Sequence, residues 1–297
     1  MRDNTIAPHT LARYMGMSVS IARRAGAILM DHYQSYAQDA ASLDIDTKDD
    51  NSPVTAADMA SHDYIMRALS AFTPDIPILS EENKEQPDIS GGLFWSVDPL
   101  DGTKGFIKQS GHFAVKITLM QNFEPVIGIV FEPAYNQLYF ASRDSDAYMI
   151  GPDGITRQIQ ARKADLSQGL TTLFNGTHYS QASYDALRDQ LKTRGLDVPN
   201  TDKAQGSCKT MFYMAVARGE ADIYMNCGHN PDLKNGNGYS WDYGADALIL
   251  RKAGGVMIDV TTARPPTFTQ PTQNMNAMIG LGDRALGETL FPKLKHK

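Results

Sequence analysis

The heptad Asp98-Pro99-Leu100-Asp101-Gly102-Thr103-Lys104 places two carboxylates three residues apart, with a glycine and a hydroxyl directly after them. The apolar run Leu93-Phe94-Trp95-Ser96-Val97 precedes it and reads as a buried strand that Pro99 and Gly102 end in a tight turn. Carboxylates suit hard cations, and Mg²⁺ is commonly held by one or two of them together with phosphate oxygens and water. Gly102 lets backbone N–H groups come close to an anion. Thr103 can hydrogen-bond a water or a phosphate oxygen. Taken alone, Asp-Pro-x-Asp-Gly is also an ordinary turn that caps the next helix.

Other carboxylates add weight to the chemical reading. Glu81-Glu82 closes a short strand, and two neighbouring strands that both end in acids would bring Glu81 and Asp98 together. Asp242, in Ser240-Trp241-Asp242-Tyr243-Gly244, opens a helix, where an acid is also a common cap and a favourable partner of the helix dipole. Asp58 stands in a first helical turn and has the same structural explanation. Together Glu81, Asp98, Asp101 and Asp242 supply oxygen ligands for two divalent cations. Two metals about 3.5–4 Å apart clamp the attacking and leaving oxygens of an in-line phosphoryl displacement. No convincing nucleophilic Ser or Cys motif competes with that chemistry, and Cys227-Gly228-His229 reads as a loop accident rather than a metal site.

The positioning elements follow from periodicity. Residues 10–36 read as a long amphipathic helix with Thr10 as cap, and 56–72 as a second helix capped by Thr55. Strands are expected at 76–79 and 94–97. An antiparallel meander follows over 114–119, 125–131, 137–141, 147–150 and 157–160. The remainder alternates: strand 170–174, helix 184–194, helix 210–217, strand 221–224, helix 243–253, strand 256–259, strand 275–279 and helix 284–294. Helices first, then a meander, then an α/β half imply stacked layers in one domain over 1–297, with an N-terminal lobe 1–165 and a C-terminal lobe 166–297.

Composition bounds the class. The chain has 297 residues, a net charge of −6 and 42% hydrophobic residues, which fits a globular protein and not a binder of nucleic-acid polymers. Its two cysteines, Cys208 and Cys227, sit in no CxxC pattern, so a reduced cytoplasmic setting is expected. Neither a signal peptide nor a transmembrane run is expected. The asparagine- and glycine-rich stretch 227–238 reads as a surface loop.

As a set, these motifs resemble the inositol monophosphatase-like superfamily. Asp98 to Thr103 is similar to its first signature, and Trp241-Asp242 with Ala245, Ala247 and Ala253-Gly254-Gly255 to its second. Ser80-Glu81-Glu82 resembles its acidic pair, and Asn51 to Asp58 its N-terminal loop. The resemblance implies an α/β (α+β) five-layer αβαβα sandwich and Mg²⁺-dependent, lithium-sensitive phosphomonoester hydrolysis. It further implies Glu81, Asp98 and the Leu100 carbonyl as ligands of one metal, and Asp98, Asp101 and Asp242 as ligands of a second. A weaker third site would use Glu81. Thr103 with Asp58 would activate water, assisted by Glu81. Leu100, Asp101, Gly102, Thr103 and Asp242 would contact a small phosphorylated substrate.

Within the superfamily, Asp98 to Phe106, Gly111 to Val115 and Val126 to Pro133 look most like the CysQ-type 3′(2′),5′-bisphosphate nucleotidases. These remove the 3′-phosphate of 3′-phosphoadenosine 5′-phosphate. Lys104 or Lys209 would meet the second phosphate, and His178 and Ser207 would line the same pocket. Two departures stand out. Asn175-Gly176-Thr177-His178 lacks the arginine of the nucleotidase motif, and Gly206-Ser207-Cys208-Lys209 carries its lysine one position early. Inositol-1-monophosphatase, another small sugar or alcohol phosphatase such as one for histidinol phosphate, and an inactive binding protein on the same scaffold remain alternatives. Both a monomer and a homodimer are compatible with the sequence.

Overall fold

A computed structural model describes residues 6–38, 45–47, 53–167, 169–174, 180–196, 208–227, 232–234, 238–269 and 274–295. The chain opens with α1 (Pro8–Gln38), a short hairpin of β1 (Ile45–Thr47) and β2 (Pro53–Thr55), and α2 (Ala56–Phe72). Seven strands then build the larger sheet: β3 (Ile78–Ser80), β4 (Leu93–Asp101), β5 (Ala114–Gln121), β6 (Glu124–Glu132), β7 (Gln137–Ser142), β8 (Tyr148–Ile150) and β9 (Thr156–Gln158). They lie side by side in chain order. Only β3 and β4 pair in parallel; the rest form the expected meander. The short helix α3 (Thr103–Ile107) links β4 to β5.

The second half supplies β10 (Thr172–Phe174), α4 (Gln181–Thr193), α5 (Lys209–Ala217), β11 (Ile223–Asn226), α6 (Ser240–Lys252), β12 (Val256–Asp259), β13 (Met278–Leu281) and α7 (Arg284–Leu290). Its four strands order as β10-β11-β13-β12. Expected and observed bounds differ by a few residues at most elements. The closing helix stops at Leu290 rather than Leu294, because Pro292 cannot continue an α-helix and a 3₁₀ turn follows.

Three apolar layers hold the stack together. Alternation along β4 and β5 sends Trp95, Val97, Val115, Ile117 and Leu119 toward α1 and α2, where they meet Leu11, Ile21, Leu29 and Ile65. The other face, with Phe94, Ala114, Met120, Val130 and Tyr139, packs on Tyr213 of α5 and Tyr243 and Leu248 of α6. The same two helices cover one side of the smaller sheet, while Tyr184, Leu187 and Leu191 of α4 and Leu290 of α7 pack with Ile223, Ile258 and Ile279 on its other side. The layers therefore run α1/α2, large sheet, α5/α6, small sheet, α4/α7, the expected five-layer αβαβα sandwich.

One local expectation needs correction. β4 does not end at Val97 but runs through Pro99 to Asp101, nearly all of it buried. Its register with β5 shifts between Asp98 and Asp101. Pro99 has no N–H to give the ladder, and a bulge is how a sheet accommodates that loss.

Candidate active site

The bulge aims the acids. Asp98 Oδ1 accepts the Leu100 N–H at 3.1 Å, and Ser61 Oγ of α2 donates to the Pro99 carbonyl at 2.9 Å. These bonds fix the irregular stretch where the regular ladder is interrupted. Gly102 follows at φ 92°, as the N-cap of α3. A Cβ there would lie 2.7 Å from the His112 carbonyl oxygen and 3.0 Å from Cys208 Cβ, so the turn requires glycine on both conformational and steric grounds.

Around this turn, carboxylate oxygens of Asp98, Asp101 and Asp242 lie within 4.8 Å of one another. Asp98 is 1% exposed and Asp101 7% exposed. Burial raises the Asp98 pKa well above the ordinary range, and the neighbouring charges of Glu81, Asp101 and Asp242 push it further. Glu81 follows β3, whose parallel pairing with β4 brings it alongside; its N–H donates to the Val97 carbonyl at 3.1 Å. The anticipated meeting of two acid-tipped strands is thus present.

Asp58 and Asp242 keep their structural roles as well. Asp58 forms a capping box with Thr55, whose backbone N–H and hydroxyl donate to Asp58 Oδ2 at 2.8 and 2.5 Å. That leaves Oδ1 to accept from Thr103 Oγ1 at 3.3 Å. The Thr103 hydroxyl also lies 3.4 Å from the Leu100 carbonyl oxygen. Asp242 Oδ2 accepts the Tyr239 N–H at 2.7 Å at the start of α6. Gly238 passes so close that a Cβ there would be 2.5 Å from the same oxygen.

The remaining sequence candidates divide. Lys209 Nζ lies 3.9 Å from Asp242 Oδ1, within the site. The Lys104 side chain is exposed at the start of α3 and forms no ion pair with the described acids. His178 and Ser207 lie outside the described residues, as does most of the 227–239 loop.

Sequence reasoning missed the buried support behind Asp101. Thr210 Oγ1 is 2.5 Å from Asp101 Oδ2 and 3.0 Å from Asp246 Oδ2. The Cys208 thiol donates to Asp101 Oδ2 at 3.3 Å. Lys116 Nζ stands 3.7 Å from that oxygen and 3.0 Å from Asp246 Oδ2, and also donates to the Asp242 main-chain carbonyl. Burial opposes ionisation of Lys116, but Asp246, Asp101, Asp242 and Asp98 together raise its pKa. Asp101 is lowered despite its burial, chiefly by Lys116 and Thr210. Burial pushes Asp246 up to about 6 against the pull of Lys116. The available signal was a lysine in the middle of the apolar strand Ala114–Leu119.

The donor set fits a magnesium-like cation. The converging donors are carboxylate oxygens, hard ligands suited to Mg²⁺ rather than to a soft metal. Burial, and then the charges of Glu81, Asp101 and Asp242, raise the Asp98 pKa, and a cation among these acids would offset both.

Comparison with known proteins identifies related chains. The model of the inositol monophosphatase family matches residues 11–292. A 3′(2′),5′-bisphosphate nucleotidase CysQ of Escherichia coli O157:H7 is 35% identical over 242 residues, covering 80% of this chain and 87% of that protein. The Nus factor SuhB of Salmonella typhimurium is 29% identical over 248 residues, covering 82% and 84%. Among solved structures, CysQ from Bacteroides thetaiotaomicron superposes with a TM-score of 0.70 at 25% identity, covering 91% of this chain and 97% of that one. The suhB protein of Bartonella henselae gives 0.71 at 22% identity, covering 96% and 99%, a likeness of fold. Among the described residues, no helix is long and apolar enough to cross a membrane.

Proposed function

Since the chain belongs to the inositol monophosphatase family and is a phosphatase, we propose that it removes the 3′-phosphate of 3′-phosphoadenosine 5′-phosphate, giving AMP and phosphate with Mg²⁺ as cofactor. The observation that carries this reading is the convergence of Asp98, Asp101 and Asp242 within 4.8 Å. The choice of a nucleotide rests on the similarity to the nucleotidase relatives.

Glu81, Asp98, the Leu100 carbonyl, Asp101 and Asp242 would hold two magnesium ions, with Glu81 also serving a third. Bound there, the ions supply Lewis-acid activation of water and stabilise charge on the phosphoryl and leaving oxygens. The rest is the work of the chain. Asp58, with Oδ2 held by Thr55, offers Oδ1 to the Thr103 hydroxyl. That hydroxyl orients the attacking water, and its proton passes through Thr103 to Asp58. Gly102 and Thr103 begin α3, where the first N–H groups of a helix lack internal partners and favour a phosphate oxygen. Lys209, with Nζ 3.9 Å from Asp242 Oδ1, would meet a second phosphate. Lys104, His178 and Ser207 complete the proposed substrate contacts.

A phosphate-release panel with Mg²⁺ tests the reading, comparing 3′-phosphoadenosine 5′-phosphate, inositol 1-phosphate, fructose 1,6-bisphosphate and histidinol phosphate. The nucleotide should give the highest kcat/KM. A strong preference for inositol 1-phosphate would overturn the specificity. Release from any of the four excludes an inactive binding scaffold.

A further inference from the structure

Lys116 lies in the middle of β5, opposite Asp98 in the β4–β5 ladder, and is wholly buried. Its ammonium touches three of the elements that build the site. It stands on β5, approaches Asp101 Oδ2 at the end of β4, and donates to the main-chain carbonyl of Asp242 in the first turn of α6. Asp246, one turn further along α6 and also wholly buried, anchors it at 3.0 Å. Thr210 of α5 closes the circuit by bridging Asp246 and Asp101.

These contacts divide the labour of the Asp101 carboxylate. Oδ2 faces Thr210, Cys208 and Lys116 on the protein side. Asp101 also offers a carboxylate oxygen to the cluster it forms with Asp98 and Asp242. Like charges within 4.8 Å repel, and the ammonium behind them contacts two of the three acids, the carboxylate of Asp101 and the main-chain carbonyl of Asp242. A buried lysine between acids has a second possible consequence of opposite sign. As a plain positive charge it would weaken the binding of another cation.

We propose that Lys116, held by Asp246 and Thr210, is a positioning residue for Asp101 and Asp242, and that its orienting effect outweighs its charge, so that the chain binds divalent cations more tightly with it than without it. The proposal rests on the reading of the acidic cluster as a divalent-cation site. Outer partners of metal ligands commonly change metal affinity by about 10- to 100-fold, which sets the scale.

The test is direct titration of Mn²⁺, followed by electron paramagnetic resonance of the free ion, on the full chain and on Lys116→Met, Lys116→Arg and the charge-balanced pair Lys116→Met/Asp246→Leu. Circular dichroism and melting monitor the fold. Lys116→Met should raise the Kd of at least one Mn²⁺ by about tenfold or more. Lys116→Arg should recover part of the loss. The double variant removes both buried charges, so it remains foldable even if Lys116→Met is not, and it should still bind more weakly than the parent. Equal or tighter Mn²⁺ binding by the folded variants, the double one included, overturns the proposal and makes Lys116 a mere counter-charge. The cation-site reading fails separately: the parent chain would then bind no Mn²⁺ at all. Substrate choice has no bearing on either result.

Discussion

Asp98 and Glu132 are both buried carboxylates of the large sheet, on strands β4 and β6, and burial raises the pKa of each. Their surroundings differ. After burial, the influences on Asp98 are three more acids, Glu81, Asp101 and Asp242, with Lys116 the weaker opposing charge. For Glu132 the next influence is the Arg218 guanidinium, which lowers it. Arg218 also donates to Tyr139 and is paired with Glu220. At the Glu132 corner the chain's own cation offsets part of the burial, and one carboxyl oxygen, Oε1, has no hydrogen-bond partner. The Asp98 corner has gathered more negative charge than the chain answers. An acid that a fold buries among acids is placed for a cation from outside; an acid buried beside arginine belongs to the scaffold.

The largest effect that can break this contrast is that of Asp98→Asn. The amide keeps an oxygen to accept the Leu100 N–H, so the bulge survives. Loss of the ligand charge should cut kcat/KM by about a thousandfold or more, a scale seen when one preorganised electrostatic group is removed, while Tm holds or rises because a crowded charge is gone. Near-parental activity in a phosphate-release assay would dissolve the distinction between the two corners.

Asp58→Asn comes next. Asp58 is satisfied like a scaffold acid yet faces Thr103 like a site acid. Asparagine preserves the cap but not the proton acceptor, so kcat should fall by about 10²- to 10⁴-fold, with stability changed by no more than about 1 kcal/mol. A loss of stability without loss of kcat would return Asp58 to the scaffold class.

Cation linkage sharpens the comparison without touching turnover. Mg²⁺ at about 100 times its Kd should stabilise the parent by about 2.7 kcal/mol, read as a rise in Tm on the order of 5 °C. Asp98→Asn should lose most of that rise and Glu132→Gln should keep it. Equal shifts in both variants would place the cation elsewhere.

Much of the contrast was legible in the sequence because its front half is local. The spacing of Asp98, Asp101, Gly102 and Thr103 survives as a bulge and a helix start, and Thr55, read as a helix cap, and Asp58, read as a first-turn acid, join in a capping box. The pairing that would bring two acid-tipped strands together is also present, as the parallel pair of β3 and β4. The back half was not legible, because its members are far apart in the chain. Lys116, Thr210 and Asp246 meet only when β5, α5 and α6 stack, at sequence separations of 130 between Lys116 and Asp246 and 109 between Asp101 and Thr210. Periodicity identifies β5 as a strand but gives no reason for a lysine on its buried face. Pro99, read as a stop, is instead the cause of the bulge, since a missing N–H interrupts a ladder without ending the strand.

The smallest expected effect isolates the Glu132 corner. Glu132 is pushed up to about 8 in the folded chain, mainly by burial, against a reference of 4.5. Between those two values the folded state holds a proton that the unfolded chain has released, so stability falls as pH rises through that window and levels off above it. Glu132→Gln removes the titrating group while keeping its shape. The variant should melt close to the parent at pH 5 and several degrees above it at pH 8.5, with kcat/KM unchanged because Glu132 touches none of the converging acids. If the pH 8.5 gain is missing, Arg218 balances Glu132 more completely than its unpartnered Oε1 implies. If activity falls instead, Glu132, which feels the charge of Asp246, is coupled through it to Asp101, and the boundary between scaffold and site must be moved two strands outward.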